Sequence, residues 1–342
     1  MELLLTKNPI VESIGLRSTK DLVVNHINKA TTFNIATGFI TNDSIAELQS
    51  IVAYKGSSMT LNLFIGMNYL DGFTQIQYNA VKALNDKLRE IGVGKVFLSP
   101  KALFHGKMYS FYNQSSCLGS FVGSSNLGSF LDKSASYIES DMYFDGGEGI
   151  VINENITKII DCLGKDFDDV PTVFKFKKPE IKVLKGYDHV TEVTQDEIEQ
   201  YKGSKTGTIA HMPFKTDPKS NLNTYFGAGK IKNRYSPRGW YEVELILNKG
   251  TEAANLLPIG KSFTVITDDG YKFNLSRQGD YAKNLRSDYN LKILGRWIKG
   301  RMENEGALEI GKPVTQDTIE RFGKSQMVFE ETKEGIWLLS MK

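Results

Sequence analysis

Two short polar clusters constrain this chain most. His105-Gly106-Lys107 is followed eighteen residues later by Gly123-Ser124-Ser125-Asn126, and each cluster sits in a run that reads as a β-strand. A strand shows residues i and i+2 on the same face. His105 and Lys107 are therefore expected to project together, and Ser124 and Asn126 to do so on a neighbouring strand. Phosphoryl transfer needs a nucleophile, an acid for the leaving group, and cationic or amide donors around the phosphate oxygens. These four residues supply those types.

The chain around the clusters alternates helical and extended patterns. Helices are expected at Lys20–Ala30, from Asn42 or Asp43 to Val52, and at Phe73–Ile91, where Ile76, Ala80, Leu84, Leu88 and Ile91 recur three or four apart. Strands are expected at Thr32–Ile40, Met59–Ile65, Lys95–Leu98, Lys107–Tyr112, Ser116–Gly123 and Tyr137–Phe144, with a closing helix at Glu154–Phe167. This order points to an α/β sandwich around a mixed sheet. Asp168-Asp169, Pro171, a basic stretch and Pro179 then read as a connector. Beyond it come short β-rich runs at Thr206–His211, Trp240–Leu247, Lys261–Thr267, Tyr271–Leu275 and Gly335–Ser340. Helices are expected near Leu291–Asn304 and Thr315–Phe322, and Asp268-Asp269-Gly270 suggests a hairpin. The expected organisation is an α/β domain over residues 1–170, a linker over 171–190, and a small β-barrel-like domain with one or two helices over 191–342.

Charge separates the halves. Residues 1–170 carry 14 Lys and Arg against 18 Asp and Glu, whereas residues 219–301 carry 15 against 7. The basic half therefore suits a polyanion. No apolar run is long enough to span a bilayer, and the first residues lack a signal-peptide pattern. Cys117 and Cys162 form no C-x-x-C pair, so core packing and a reducing cytoplasm are the expectation. No cluster of metal-ligating type stands out, so no metal and no other cofactor is expected.

His105, Lys107, Ser124 and Asn126 together resemble the phospholipase D superfamily motif, H-x-K followed by G-S-x-N. The Asp that customarily follows the Lys is missing, because Met108-Tyr109-Ser110-Phe111-Tyr112 stands there. A nucleophilic imidazole works better when a carboxylate orients its second nitrogen. Glu139, in the next β-rich run, is the candidate substitute, and Asp141 on the same face is the alternative. His26, His189 and His211 do not repeat the motif. The resemblance implies two motifs per pocket, so a homodimer joined through this domain is expected. It implies attack by one His105 to form a phosphohistidine, with the partner's His105 as acid, Lys107 and Asn126 holding the non-bridging oxygens, and no metal. Ser124 is either a hydroxyl donor or a turn residue.

The basic half holds two polar sets. Lys230, Lys232, Asn233, Arg234, Arg238 and Trp240 form the first. Arg277, Gln278, Tyr281, Lys283, Asn284, Arg286, Ser287, Asp288 and Asn290 form the second. Arg, Asn and Gln suit base edges, and Lys and Ser suit phosphates. Lys292, Arg296, Lys299 and Arg301 follow mostly helical spacing and are expected on phosphate or in surface ion pairs. One motif, a connector and a basic β-rich half resemble the metal-independent restriction endonucleases of the BfiI and NgoAVII type, which join a phospholipase-D-like nuclease to a B3-like DNA-binding pseudobarrel. The segment from Arg277 to Lys299 is most similar to the NgoAVII-type members. The resemblance implies that two arms read a short asymmetric site in double-stranded DNA. It also implies a cognate DNA methyltransferase and, in some systems, a separate ATPase subunit. Two alternatives remain open at this point: a phosphodiesterase acting on phospholipids, and a DNA-binding protein with a degenerate nuclease half.

Overall fold

A computed structural model describes residues 1–6, 15, 17–130, 138–172, 175–218, 220–223, 230–231, 234–235 and 238–342. The chain divides into two compact units, residues 1–179 with 229–237, and residues 180–228 with 238–342.

The first unit is built on an eight-stranded mixed sheet. Its strands are β1 (Glu2–Leu5), β2 (Thr32–Thr37), β3 (Thr60–Ile65), β4 (Gly94–Leu98), β5 (Lys107–Asn113), β6 (Ser116–Gly123), β7 (Ser140–Phe144) and β8 (Lys165–Asp166), in the order β1-β7-β6-β5-β2-β3-β4-β8. β2, β3 and β4 run parallel, and β5, β6 and β7 join antiparallel beside β2. Parallel neighbours need crossovers, and helices supply them. These are α2 (Asn42–Lys55) between β2 and β3 and α3 (Gln75–Glu90) between β3 and β4, while α1 (Thr19–Lys29) precedes β2. α4 (Gly146–Leu163) returns over the face formed by Ala36, Phe64, Met108 and Val122, packing Ile152 and Ile156 there. Helix starts follow hydroxyl chemistry. Thr41 caps α2, not Asn42 or Asp43, because Thr41 and Ser44 satisfy each other's backbone N–H groups. Thr74 and Gln77 do the same for α3. The last helix begins at Gly146, eight residues earlier than its apolar spacing suggested, and ends at Leu163.

The second unit is also organised by a sheet. β10 (Lys205–Pro213), β17 (Gln326–Thr332), β18 (Trp337–Met341), β14 (Phe263–Thr267), β15 (Tyr271–Gln278), β16 (Asn284–Ser287) and β13 (Leu245–Ile246) follow in that spatial order, and β9 (Thr191–Glu192) pairs with β15. The hairpin around Asp268-Asp269-Gly270 forms as expected, with Gly270 at φ 90°. α5 (Gln195–Gly203), α6 (Glu252–Leu256), α7 (Lys292–Asn304) and α8 (Gln316–Phe322) complete the unit. Both domains therefore have the expected architectures, an α/β sandwich and a β-rich unit with helices. The expected strand Trp240–Leu247 is a correction: only Leu245–Ile246 is extended in a ladder, because Trp240 and Tyr241 turn inward onto α7. β17 and the helix α5 add to the expected elements, and Thr194 and Glu197 form a capping box at the start of α5. β11 (Lys230–Ile231) and β12 (Arg234–Tyr235) pair with each other and group with the first unit. Among the described residues, no helix is long and apolar enough to cross a membrane.

Candidate functional site

Both motif clusters lie at one end of the first sheet. The register places Lys107 of β5 opposite Thr37 at the end of β2, and Gly123 at the end of β6 opposite Asp141 near the start of β7. Chain leaving β2 and β6 and chain entering β5 and β7 therefore meet there. The rim outside the carboxyl ends of parallel strands is a recurrent ligand site in α/β sheets.

His105 itself precedes β5, and only Lys107 begins the strand, which corrects the expected two-residue pairing on a strand face. The imidazole is exposed whereas Lys107 is buried. The lysine nevertheless folds back to its neighbour. Its Nζ donates to the His105 carbonyl at 2.6 Å and lies 3.1 and 3.2 Å from the two ring nitrogens. Burial pushes the Lys107 pKa down, and the Glu139 carboxylate partly offsets that shift. The ring of Phe39 meets the imidazole edge-on, with centroids 5.7 Å apart. The Phe104 N–H donates to the Gly66 carbonyl at 3.1 Å, and a side chain at Gly66 would bring Cβ within 2.3 Å of the Phe104 carbonyl. Glycine at 66 thus lets the segment before His105 lie against β3.

Ser124 and Asn126 are likewise not on a strand. They occupy the turn after β6, ahead of a one-turn helix at Leu127–Phe130. The Asn126 Oδ1 accepts from the Phe39 N–H at 3.3 Å, which leaves its amide nitrogen to donate elsewhere. The turn is held from below. Asp141 is 1% exposed and accepts from Ser125 Oγ at 2.6 Å, from Ser125 N–H at 3.3 Å and from Thr19 Oγ1 at 3.3 Å. The Tyr109 hydroxyl donates to the Ser125 carbonyl at 2.7 Å. A Cβ at Gly123 would stand 2.3 Å from Asp141 Oδ1, so the carboxylate occupies the space a side chain would take. Burial pushes the Asp141 pKa up, opposed by its bonds from Ser125 and Thr19. Asp141 thus supports the turn from within the core.

Glu139 lies just before β7, not on it. Its Oε2 accepts from Ser124 Oγ at 2.5 Å, and its backbone N–H donates to Thr6 Oγ1. The expected imidazole-orienting bond is replaced by this Ser124 contact, so the structure brings Glu139 to the cluster through Ser124. Nothing in the spacing of the sequence signals that pairing.

The basic residues of the second unit separate by direction. β15 alternates, with Tyr271, Phe273, Leu275 and Arg277 inward, while Lys272, Asn274 and Gln278 are half-buried or exposed. Arg277 is 7% exposed and donates to the carbonyls of Ala254, Leu257 and Ala282 at 2.8–2.9 Å. It fastens the loop carrying Tyr281 and presents no free fork. Trp240 is fully buried, and its indole N–H donates to Glu303 at 2.6 Å. Ser287 is buried, donates to the Asn290 carbonyl and accepts from Leu294 N–H, while Asn290 Oδ1 accepts from Lys292 N–H. These residues shape the fold. Ser262 Oγ bonds the Asp288 carboxylate. Arg238, Gln278, Tyr281 and Lys283 are exposed; Tyr281 is held outward on left-handed backbone, φ 58°. Lys232 and Asn233 lie outside the described residues, and of Lys230 and Arg234 only the backbone is described.

For the cations of α7 the expectation is phosphate contact or surface ion pairs, and the structure bears out an ion pair for Arg301 while Lys292 and Lys299 are buried. Lys299 is fully buried, its Nζ 3.9 Å from the Trp240 ring centroid and 2.9 Å from the Trp240 carbonyl, and burial pushes its pKa down to about 7. Lys292 is 2% exposed, Arg296 stacks on Tyr241 and nears Glu303, and Arg301 pairs with Asp268 at 2.5 Å. Arg296 and Lys299 turn toward Glu303, and Arg301 pairs with the acidic hairpin.

Comparison with known proteins matches both units. The model of the NgoFVII restriction endonuclease N-terminal PLD domain matches residues 19–170, and that of the NgoFVII C-terminal B3-like DNA-binding domain matches residues 191–333. Among solved structures, Nuc of Salmonella typhimurium, a phospholipase D family member, is 16% identical, with 48% of this chain and 95% of that chain covered and a TM-score of 0.34. NucT of Helicobacter pylori is 17% identical, with 48% and 99% covered and a TM-score of 0.34. No curated protein sequence matches.

Proposed function

Because this chain belongs to the NgoFVII restriction endonuclease family, through a PLD nuclease domain and a B3-like DNA-binding domain, we propose that it cuts DNA near a short asymmetric duplex site by metal-independent phosphohistidine chemistry. The chain is a DNA-cleaving hydrolase. The observation that carries the finer reading is the meeting of His105, Lys107, Ser124, Asn126 and Glu139 at one sheet end.

A ring nitrogen of His105 attacks the phosphorus, and the P–O bond to one sugar oxygen breaks. That oxygen takes a proton from His105 of the partner subunit, now a base for the second step. It deprotonates a water that attacks the phosphohistidine, breaking the P–N bond and freeing the phosphate end. Lys107 and the Asn126 amide nitrogen hold the non-bridging oxygens, with the amide aimed by its carbonyl bond to Phe39. Ser124 and Glu139 act as one hydrogen-bonded unit that offsets the Lys107 charge. One motif per chain supports a homodimer through the nuclease domain. The exposed Gln278, Tyr281 and Lys283 and the half-buried Arg286 are the DNA contacts we favour in the second unit. A protecting methyltransferase is part of this reading, and any ATP use falls to a separate subunit. Both cysteines are free thiols, which supports a cytoplasmic setting.

Plasmid incubated with the protein in EDTA tests the reading. Discrete fragments are expected, none with His105→Ala, and acid-labile label on the protein after brief reaction with end-labelled substrate. Cutting that survives His105→Ala, or that chelator stops, refutes it.

A further inference from the structure

The outward face of β15 and β16 is lined by amide, hydroxyl and guanidinium groups, and one buried carboxylate stands among them. Gln278 and Ser276 of β15 lie opposite Asn284 and Arg286 of β16. Glu244, just ahead of β13, accepts from Arg286 at 2.9 Å through Oε1 and from Asn284 Nδ2 at 3.4 Å through Oε2. It is 8% exposed, whereas the Arg286 side chain is 35% exposed. Arg286 is therefore reachable from outside while its acid is not, and Asn284 is half-buried with its Oδ1 buried.

A carboxylate in a surface meant only to attract phosphates would work against it, because nonspecific affinity comes from net positive charge. Base reading has another requirement: the planar guanidinium fork and the amide must hold a fixed direction. Glu244 takes up one edge of the fork and one amide hydrogen, and both side chains lie on one face of a short strand. We infer that Glu244 is a specificity-determining positioning residue, aiming Arg286 at base edges and withholding its charge from passing phosphates, with Asn284 bracing the carboxylate. This rests on the reading of the second unit as the reader of duplex DNA.

The test begins with the wild-type full chain and a pool of random duplexes. Failure to enrich any site refutes the DNA-reading function itself, and this inference with it. With a site in hand, Glu244→Gln is expected to lower the ratio of specific to nonspecific affinity about tenfold or more, with nonspecific affinity equal or higher. Arg286→Lys keeps the charge, loses the fork, and should produce a like loss. The double variant should lose little beyond either single one, since both break the same unit. Thermal melting followed by tryptophan fluorescence reports whether each variant is folded. Should Glu244→Gln not fold, Arg286→Lys decides the matter by the same ratio. A ratio held within about twofold, or losses that add in the double variant, overturns the inference while leaving the DNA-reading function standing.

Discussion

His26 makes acid sensitivity of the first unit a calculable quantity. Its side chain is in the core, 6% exposed, with its ring stacked on Phe111 at 5.5 Å and Tyr143 at 5.6 Å and edge-on to Phe121. Neither ring nitrogen has a hydrogen-bond partner among the described residues. Burial, followed by the nearby charges of Lys29 and Arg17, pushes its pKa from 6.5 to about 4. The folded state thus binds fewer protons than the unfolded state between those values, so stability falls as pH drops through 6.5 and levels off below 4. The full difference corresponds to about 3 kcal/mol, of which about 2 kcal/mol is lost between pH 7.5 and pH 5. His26→Phe keeps the ring stack and removes the proton site. Urea unfolding followed by far-UV circular dichroism at several pH values should show the wild-type transition moving to lower urea from pH 7.5 to pH 5, and the variant moving less by that amount. All three tryptophans, Trp240, Trp297 and Trp337, lie in the second unit, so their fluorescence provides a reference for that unit. An identical pH dependence in wild type and His26→Phe refutes the reasoning. The stakes reach the site, since Phe111, Phe121 and Tyr143 lie on β5, β6 and β7, whose ends carry it.

Gly66→Ala should displace Phe104 and with it His105, lowering the cleavage rate at least about tenfold while DNA affinity, measured by gel shift, holds. Equal losses in both would point to general unfolding. Lys299→Met should raise stability at pH 7 and flatten the alkaline side of the profile. The buried ammonium titrates near 7 when folded and at 10.5 when unfolded, so wild-type stability rises with pH across that window. Tryptophan-monitored unfolding from pH 7 to 10 checks it, and a wild-type profile that falls there contradicts it.

Much of the fold is legible because its signals are local. Helix spacing locates α3 from Ile76, Ala80 and Leu84, and turn residues locate the Asp269-Gly270 hairpin. The motif residues are legible because Gly123-Ser124-Ser125-Asn126 is contiguous. Their support is not. Asp141 reaches the cluster from β7 and Phe39 from the chain leaving β2, and that meeting is settled by sheet order. In the basic half, residue type misleads where direction decides. Arg277 follows Tyr271, Phe273 and Leu275 at intervals of two, and that alternation could have marked it as inward-facing. Lys299 and Arg296 offer no such signal: these two turn inward because Glu303, Trp240 and Tyr241 receive them.

Asp141 shows how a residue outside the motif governs it. Its carboxylate is the acceptor for both donors of Ser125, and Ser125 joins Ser124 to Asn126. Asp141→Ala would leave the Ser125 N–H and hydroxyl buried without that acceptor, a cost of about 1–3 kcal/mol for each group left unsatisfied. Asp141→Asn retains one carbonyl oxygen for the N–H, and the Ser125 hydroxyl can turn to accept from the amide. It also removes a charge whose burial already pushes its pKa up. The alanine variant should therefore unfold at distinctly lower urea, and the asparagine variant near or above the wild-type value. Cleavage should separate them further, since only the alanine variant frees the turn that places Ser124 and Asn126. If the asparagine variant is as unstable and as inactive as the alanine one, then charge, and not hydrogen-bond geometry, is what Asp141 contributes.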